Sequence, residues 1–182
     1  GAGSIGMKRY ITHESRTTKL GFEDIGELAT QEANCTEVNV TEDVRKLFGI
    51  DIPFTQSKYI SSYNVIVKAG YDFGEIRYEV KKDSIKVKLP EVRILSSQVD
   101  EDSFRVYHEK ESIFNQIRLE ENNAAFAKLK EQAEKDAVAN GLYENARSNA
   151  KTILKGYFAQ AYDLDDYKIT FEGGEGGNTN EK

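Results

Sequence analysis

The residues with the greatest capacity for chemistry are two histidines, one cysteine and several short acidic runs. A catalytic or metal site usually pairs a histidine with a positioned carboxylate or a second ligand. Glu109 follows His108 directly, but adjacent side chains on a strand point to opposite faces. This spacing favours a surface or half-buried position for His108, which we keep as a candidate contact for a ligand or a partner.

The acidic runs 100–102 and 163–166 carry the oxygen ligands that calcium prefers. An EF-hand loop needs glycine at its sixth position and glutamate at its twelfth, but counting from Asp163 these positions hold Lys168 and Gly174. We therefore interpret the runs as turn residues or as acids that solvate a helix end, and predict no metal site. Because Cys35 is the single cysteine, it excludes an internal disulfide framework and a Cys-rich zinc site.

Two short motifs match the consensus sequences of known cofactor or metal sites but lack the neighbouring elements or motifs that those sites need. The start, Gly1 to Gly6, fits GxGxxG, but the dinucleotide fingerprint needs a strand before it and a helix after it. Asp72-Phe73-Gly74 fits the metal-binding triplet of kinases without their other motifs. Since no GxSxG, P-loop or HExxH sequence occurs, we predict no catalytic residue and no cofactor, and favour a protein that is not an enzyme.

Composition limits the classes of partner and the size of the fold. The chain has 182 residues and a formal net charge of −6, which argues against nucleic acid as a partner. There is no run of about 18 apolar residues. The first methionine is Met7, so we interpret residues 1–18 as a flexible or cloning-derived lead and expect the native N-terminus to be missing.

The centre of the chain alternates apolar and charged residues, which is typical of strands with one wet face. Such runs lie between Lys58 and His108, with Pro90 between two of them, and a short strand follows at 167–171. Thr36, Val38 and Val40 alternate with polar residues and predict the first strand. We predict an α+β fold with an antiparallel sheet of about five or six strands.

Tyr59 and Tyr63 are predicted to share one face of a long strand, with Ser61 between them. Tyrosines on one sheet face can form a surface for a ligand, so Tyr59 and Tyr63 join His108 as candidate ligand or partner contacts. The alternative is that they pack beneath a helix.

Residues 119–162 contain no proline, and their apolar side chains recur three or four apart, which predicts a long helix that covers the sheet. The predicted stripe comprises Phe126, Leu129, Ala133, Ala137 or Val138, Leu142, Ala146, Ala150, Ile153, Tyr157 and Ala161. The helix either ends near Asn140-Gly141 or continues, and we favour a continuous helix that also offers a surface for a protein partner or for homo-oligomers.

The remaining elements are short. Residues 20–29 and 42–48 suit one or two short N-terminal helices. The predicted single domain spans residues 19–172, and the glycine-rich tail 173–182 is predicted to be disordered.

Several of these segments resemble a bacterial family, domain-of-unknown-function family 4230, over roughly residues 20–171. The resemblance rests on Lys68-Ala69-Gly70-Tyr71-Asp72, Ile85 to Val92, Asp100 to Ser103, and the Ala/Glu-rich helix with Asn140-Gly141-Leu142 and Asn145-Ala146. It implies no activity and no catalytic residues, but such proteins commonly carry one N-terminal membrane segment.

Together these features predict a binding or scaffolding module that is the soluble portion of a membrane-anchored, extracytoplasmic bacterial protein. In this interpretation the membrane is reached only through the missing N-terminal segment. The alternatives are a cytoplasmic location, a carboxylate-dependent hydrolase whose site is assembled only in the fold, and a carrier of a small ligand on the tyrosine face.

Overall fold

The structure, a computed structural model, describes residues 21–41, 59–106 and 123–177, and the chain divides into two compact units. The first unit contains the chain up to Gln31, Ala69–Leu95 and the chain from Leu142 onward. The second contains Glu32–Lys68 and Ser96–Gly141. The prediction of a single domain over residues 19–172 stays a prediction.

The described residues form an α+β fold, as predicted. The strands are β1 Glu27–Thr41, β2 Tyr59–Asp72, β3 Arg77–Val80, β4 Ser84–Leu89, β5 Arg93–Val106 and β6 Lys168–Gly173. The helices are α1 Asn123–Ala139 and α2 Leu142–Ala159, with short 3-10 helices at Phe22–Asp24 and Phe73–Glu75.

The prediction of one antiparallel sheet with five or six strands is wrong. The described strands form two three-stranded sheets, with the orders β1-β2-β5 and β3-β4-β6. β4 pairs with β3 in antiparallel and with β6 in parallel orientation, so the second sheet is mixed. Alternation along a strand indicates which side chains share a face, but it carries no information on which strands pair.

The core of the second unit lies between α1 and parts of three strands. Its buried apolar residues are Tyr63, Val65, Val67, Val99, Leu129, Ala133 and Ala137. The Tyr63 ring packs edge-on against Phe126 of α1, with the ring centroids 5.5 Å apart. Packing of this kind buries the apolar stripe of α1 against the sheet.

The core of the first unit is more aromatic. Phe158 of α2 lies 5.7 Å from Phe22 and 5.0 Å from Tyr78 between ring centroids. Ile85, Val87 and Leu89 of β4 are also buried in this unit. These contacts combine the burial of large apolar surfaces with edge-to-face ring geometry.

The prediction of one continuous helix over 119–162 is wrong, because α1 ends at Ala139 and α2 begins at Leu142. Asn140 donates through Nδ2 to the Asp136 carbonyl at 2.8 Å, and Gly141 has a φ of 101°. A side chain that binds a free helix carbonyl, followed by glycine at positive φ, ends a helix in the usual way. The protein partner or homo-oligomer predicted through the long helix stays a prediction.

The short helix predicted over residues 20–29 differs from the structure. Of the described residues 21–29, only Phe22–Asp24 is helical, and Glu27 already belongs to β1. Gly26, at a φ of 77°, turns the chain between the two elements. The helix predicted at 42–48 lies outside the described residues.

The start of the glycine-rich tail also differs from the prediction of disorder. Gly173 is the last residue of β6, and the Val92 amide donates to the Glu175 carbonyl at 3.3 Å. A Cβ on Gly176 would lie 2.4 Å from the Tyr143 ring, so only glycine allows this approach. The absence of side chains, which the sequence suggests as a cause of disorder, is here what permits the packing.

Candidate functional site

A pair of carboxyl groups from β1 and α1 is the most unusual chemical feature of the second unit. Glu37 lies on β1 and is only 2% exposed. A side-chain hydrogen bond joins it to Asp136, an exposed residue of the last turn of α1. Carboxylates are rarely buried unless they are paired with a cation or carry a proton, so this pair requires an explanation.

The fold brings the pair together through strand alternation and small helix residues. Cys35 and Glu37 point inward from β1, whereas Val38 is 49% exposed. Ala133 and Ala137 are buried on α1 on either side of Asp136 in sequence. The Cys35 thiol donates to the Ala133 carbonyl at 3.7 Å, which shows how closely this helix approaches the strand.

The electrostatics of the pair favour retention of a proton. Burial raises the pKa of Glu37 from 4.5 to about 7, and the charge of Asp136 and its hydrogen bond add to the increase. Ionised carboxylates only accept hydrogen bonds, so the bond between the two groups requires one proton. The pair can therefore give or take a proton near neutral pH.

The surroundings of Cys35 disfavour the thiolate, which is the nucleophilic form of its side chain. Burial raises the pKa of its thiol, and the negative charges of Glu37 and Asp136 raise it further. Since the thiolate is the reactive form, the structure agrees with a small, half-buried structural cysteine. Among the described residues, no group of three or more His, Cys, Asp or Glu side chains is arranged to hold a metal ion.

The first unit carries a second candidate, a sheet surface that we call the basic face. It consists of the outward side chains of β3, β4 and β6: Arg77, Glu79, Lys86, Lys88, Lys168, Thr170 and Glu172. All are exposed, while Ile85, Val87 and Leu89 alternate with them on the buried side of β4. Four of these side chains are cationic and two are carboxylates, in a chain whose formal net charge is −6.

The register places these charges in rows across the strands. Lys88 lies between Arg77 and Glu172, and Lys86 lies between Glu79 and Thr170. The ion pairs among the described residues are Arg93–Glu27, Lys135–Glu131 and Arg147–Glu175, so none involves the basic face. Glu79 lies opposite Lys86 and Glu172 lies opposite Lys88, whereas the Arg77–Lys88 pair places like charges directly opposite each other.

The structure describes only part of the set of candidate contacts selected from the sequence, which comprises Tyr59, Tyr63 and His108. Tyr63 is 1% exposed and packs between Phe104 and Phe126, so the packing alternative describes its place in the structure. Tyr59 is the first residue of β2, but its side chain is not described. His108 lies outside the described residues. The structure does not bring these three residues together in any described contact.

The sequence did not indicate the Glu37–Asp136 pair, because its members are distant in the chain and each looks like a solvated acid. The sequence indicates the basic face more clearly than the carboxyl pair, because Lys86 and Lys88 alternate with Ile85, Val87 and Leu89. That alternation predicts outward lysines, but the rows they form depend on the pairing of β4 with β3 and β6.

Comparison with known proteins gives one match. The model of the family described as "Protein of unknown function (DUF4230)" matches residues 21–169. No curated protein and no solved structure matches the chain. Within the described parts of the chain, neither helix has the length and apolar character needed to cross a membrane.

Proposed function

Since the chain belongs to the DUF4230 family, whose description leaves its function open, we propose a function from the chain's own surfaces. The protein is a non-catalytic binding module that holds an acidic segment of a partner protein on the basic face. The observation that carries this proposal is the pair of outward lysines on β4, Lys86 and Lys88, flanked by charged rows on β3 and β6.

The basic face has more cations than carboxylates, since Arg77, Lys86, Lys88 and Lys168 share it with Glu79 and Glu172. Lys86 and Lys88 are exposed and lie outside every ion pair of the described residues. Like charges directly opposite on neighbouring strands destabilise a sheet, and a partner carboxylate near Arg77 and Lys88 relieves that repulsion. Complementary charge also increases the rate of association and selects among partners.

The pattern of signs favours a protein segment over a phosphate polymer or a lipid surface. Glu79 and Glu172 lie within the basic face and repel a uniformly anionic partner. A mixed pattern fits a partner with its own alternation of charges, because misplaced like charges reduce affinity. Lys86 and Lys88 lie two residues apart on one strand, a separation of about 6.7 Å that an extended peptide reproduces at every second residue.

Fluorescence anisotropy with a defined peptide tests the proposal. We expect a labelled peptide with glutamate at every second residue to bind, and its affinity to decrease as salt is added. The double variant Lys86→Glu/Lys88→Glu should weaken binding roughly tenfold or more, because two attractive pairs become repulsive. A peptide of the same composition with its glutamates clustered should bind more weakly.

The matched control is Lys128→Glu/Lys155→Glu, which makes the same change in net charge at two exposed helix residues. It should leave the affinity within about twofold, since neither lysine belongs to the basic face and exposed charges that do not contact the peptide are screened by salt. Equal losses of affinity in both double variants would show that binding depends only on the net charge of the protein. That result would contradict a site on the basic face. Preferential binding to anionic vesicles or to single-stranded DNA would replace the protein partner with a different class.

The Glu37–Asp136 pair favours a second candidate function, a carboxylate-dependent hydrolase. Two carboxyl groups with different protonation states are the usual equipment for general acid and base catalysis. A panel of chromogenic esters, phosphates and glycosides tests this function. Turnover by the wild type that Glu37→Gln abolishes would support the hydrolase, whereas turnover unchanged by Glu37→Gln, or none at all, would oppose it.

We also propose that the module is tethered to a bacterial membrane on its extracytoplasmic side. The support for this is the family resemblance, which implies an N-terminal membrane segment in such proteins. Expression of the complete gene product followed by membrane fractionation tests the tether. We expect the protein in the membrane pellet after a carbonate wash, and its release into the supernatant would contradict the proposal.

A further inference from the structure

In the second unit, β1 and α1 meet beside a pair of carboxyl groups, where the Cys35 thiol also donates to the Ala133 carbonyl at 3.7 Å. We propose that the Glu37–Asp136 pair seats α1 on β1 while the two carboxyl groups share a proton, and loosens this helix once both are ionised. The protein thereby contains a pH-dependent device that is independent of the basic face and of its partner.

The burial of Glu37 explains why the protonation of the pair affects the contact between β1 and α1. Glu37 is 2% exposed, so its side chain has lost almost all contact with water. Its hydrogen-bonding partner is another carboxyl group rather than a lysine or arginine. When both groups are ionised, the hydrogen bond is lost and the buried negative charge of Glu37 lies beside the negative charge of the exposed Asp136, which is unfavourable.

Among the described residues of the second unit, no ion pair joins a lysine or arginine to Glu37 or Asp136. Cys35 on β1 stays a neutral thiol, and Tyr63 is the buried titratable residue of β2. On α1, Glu134 accepts a hydrogen bond from Ser97 of β5, and Lys135 pairs with Glu131 at 3.8 Å. Lys130 is half-buried on the same helix and is in no ion pair with another described residue.

The direction of the pH effect follows from linkage. Burial and Asp136 raise the pKa of Glu37 in the folded protein from 4.5 to about 7. The folded state therefore binds more protons than the unfolded state between these two values. The stabilisation is complete below pH 4.5 and is lost as the pH rises through about 7.

Hydrogen exchange resolved along the chain tests the device, with α2 as an internal reference. We expect the protection factors of α1 amides to fall at least roughly tenfold between about pH 5 and about pH 8, since each unit of pKa shift corresponds to a tenfold factor. Protection factors in α2 should change by less than about twofold, because the described contacts of α2 within the first unit include no pair of carboxyl groups.

Glu37→Gln keeps the volume and hydrogen-bonding capacity of the side chain and removes its titration. In this variant the protection of α1 should no longer depend on pH. Glu101→Gln, the same change at an exposed residue of the second unit, should retain the wild-type pH dependence. If Glu37→Gln does not fold, Asp136→Asn provides the second variant and should reduce the decrease in protection.

Two results would overturn the device. One is a wild-type decrease in α1 protection that persists unchanged in Glu37→Gln or in Asp136→Asn. The other is equal loss of protection in α1 and α2 between the two pH values, which would indicate a response of the whole chain rather than of this contact.

Discussion

The two helices of this protein pack on their sheets by different chemistry. In the first unit, α2 is held by rings, by hydrogen bonds from uncharged side chains and by Arg147, which donates to the Gly173 carbonyl at 2.7 Å and pairs with Glu175, but no pair of carboxyl groups is described there. Thr30 donates to the Ala146 carbonyl at 2.7 Å, and Asn149 donates to the Thr30 carbonyl at 2.7 Å. In the second unit, α1 carries carboxyl groups into the contact, through Asp136 with Glu37 and Glu134 with Ser97.

This difference teaches that packing against a sheet does not by itself make a helix insensitive to solution conditions. Hydrocarbon burial and hydrogen bonds between uncharged groups change little between pH 5 and pH 8. A buried carboxyl pair responds in this range, because one member has a pKa of about 7. The helix of the second unit is therefore the element that we expect to move first.

The largest expected effect comes from removing a ring in the first unit. Phe158 is fully buried against Phe22 and Tyr78, so Phe158→Ala should cost about 3–5 kcal/mol in the free energy of unfolding. The loss should be the same at pH 5 and pH 8, as measured by urea denaturation. Phe171→Ala, at a half-buried residue of β6, should cost clearly less. Equal costs for the two variants would contradict the aromatic core.

An intermediate effect is expected from a polar contact of α1. Ser97→Ala removes the donor to Glu134 and should cost about 1 kcal/mol, because that carboxylate loses a hydrogen bond in a partly buried position. Hydrogen exchange in α1 measures this cost locally. The matched change in the first unit, Thr30→Val, should lower protection in α2 instead. A Ser97→Ala effect that appears in α2 as strongly as in α1 would refute the separation of the two contacts.

The smallest effect is a gain in stability. Gly156 lies inside α2, and a Cβ added there would meet no atom within 4 Å. Gly156→Ala should therefore stabilise the first unit by about 0.5–1 kcal/mol, since glycine loses more backbone entropy than alanine in a helix. A rise in thermal midpoint checks this, and a fall would mean that the position is not the open helical site described.

The sequence predicted the buried faces of the helices better than their ends. Leu129, Ala133, Ala146 and Ala150 belong to the predicted stripe and are buried. Further along α2, Leu154 and Phe158 are buried where Ile153 and Tyr157 were expected. Steps of three and of four residues fit the same stripe, and the choice between them depends on the surface against which the helix packs.

The first strand illustrates why the candidate site was not predicted. Val38 is exposed and Glu37 is buried, the reverse of what polarity alone suggests. A carboxyl group is expected to face water because its burial is costly unless it is protonated or paired. Asp136 supplies the hydrogen-bonding partner, and its position beside β1 is a property of the tertiary fold alone. The lysines of β4 faced outward as their alternation indicates, because there the local pattern and the fold agree.

The most direct measurement is the titration of Glu37 by its side-chain carboxyl carbon in an NMR experiment on the wild-type protein. The structure predicts a midpoint at about pH 7. It further predicts that Asp136→Asn lowers this midpoint, while burial keeps it above the ordinary value of a glutamate. A midpoint near 4.5 in the wild type would contradict a buried, shared proton and with it the distinction between the two helix contacts.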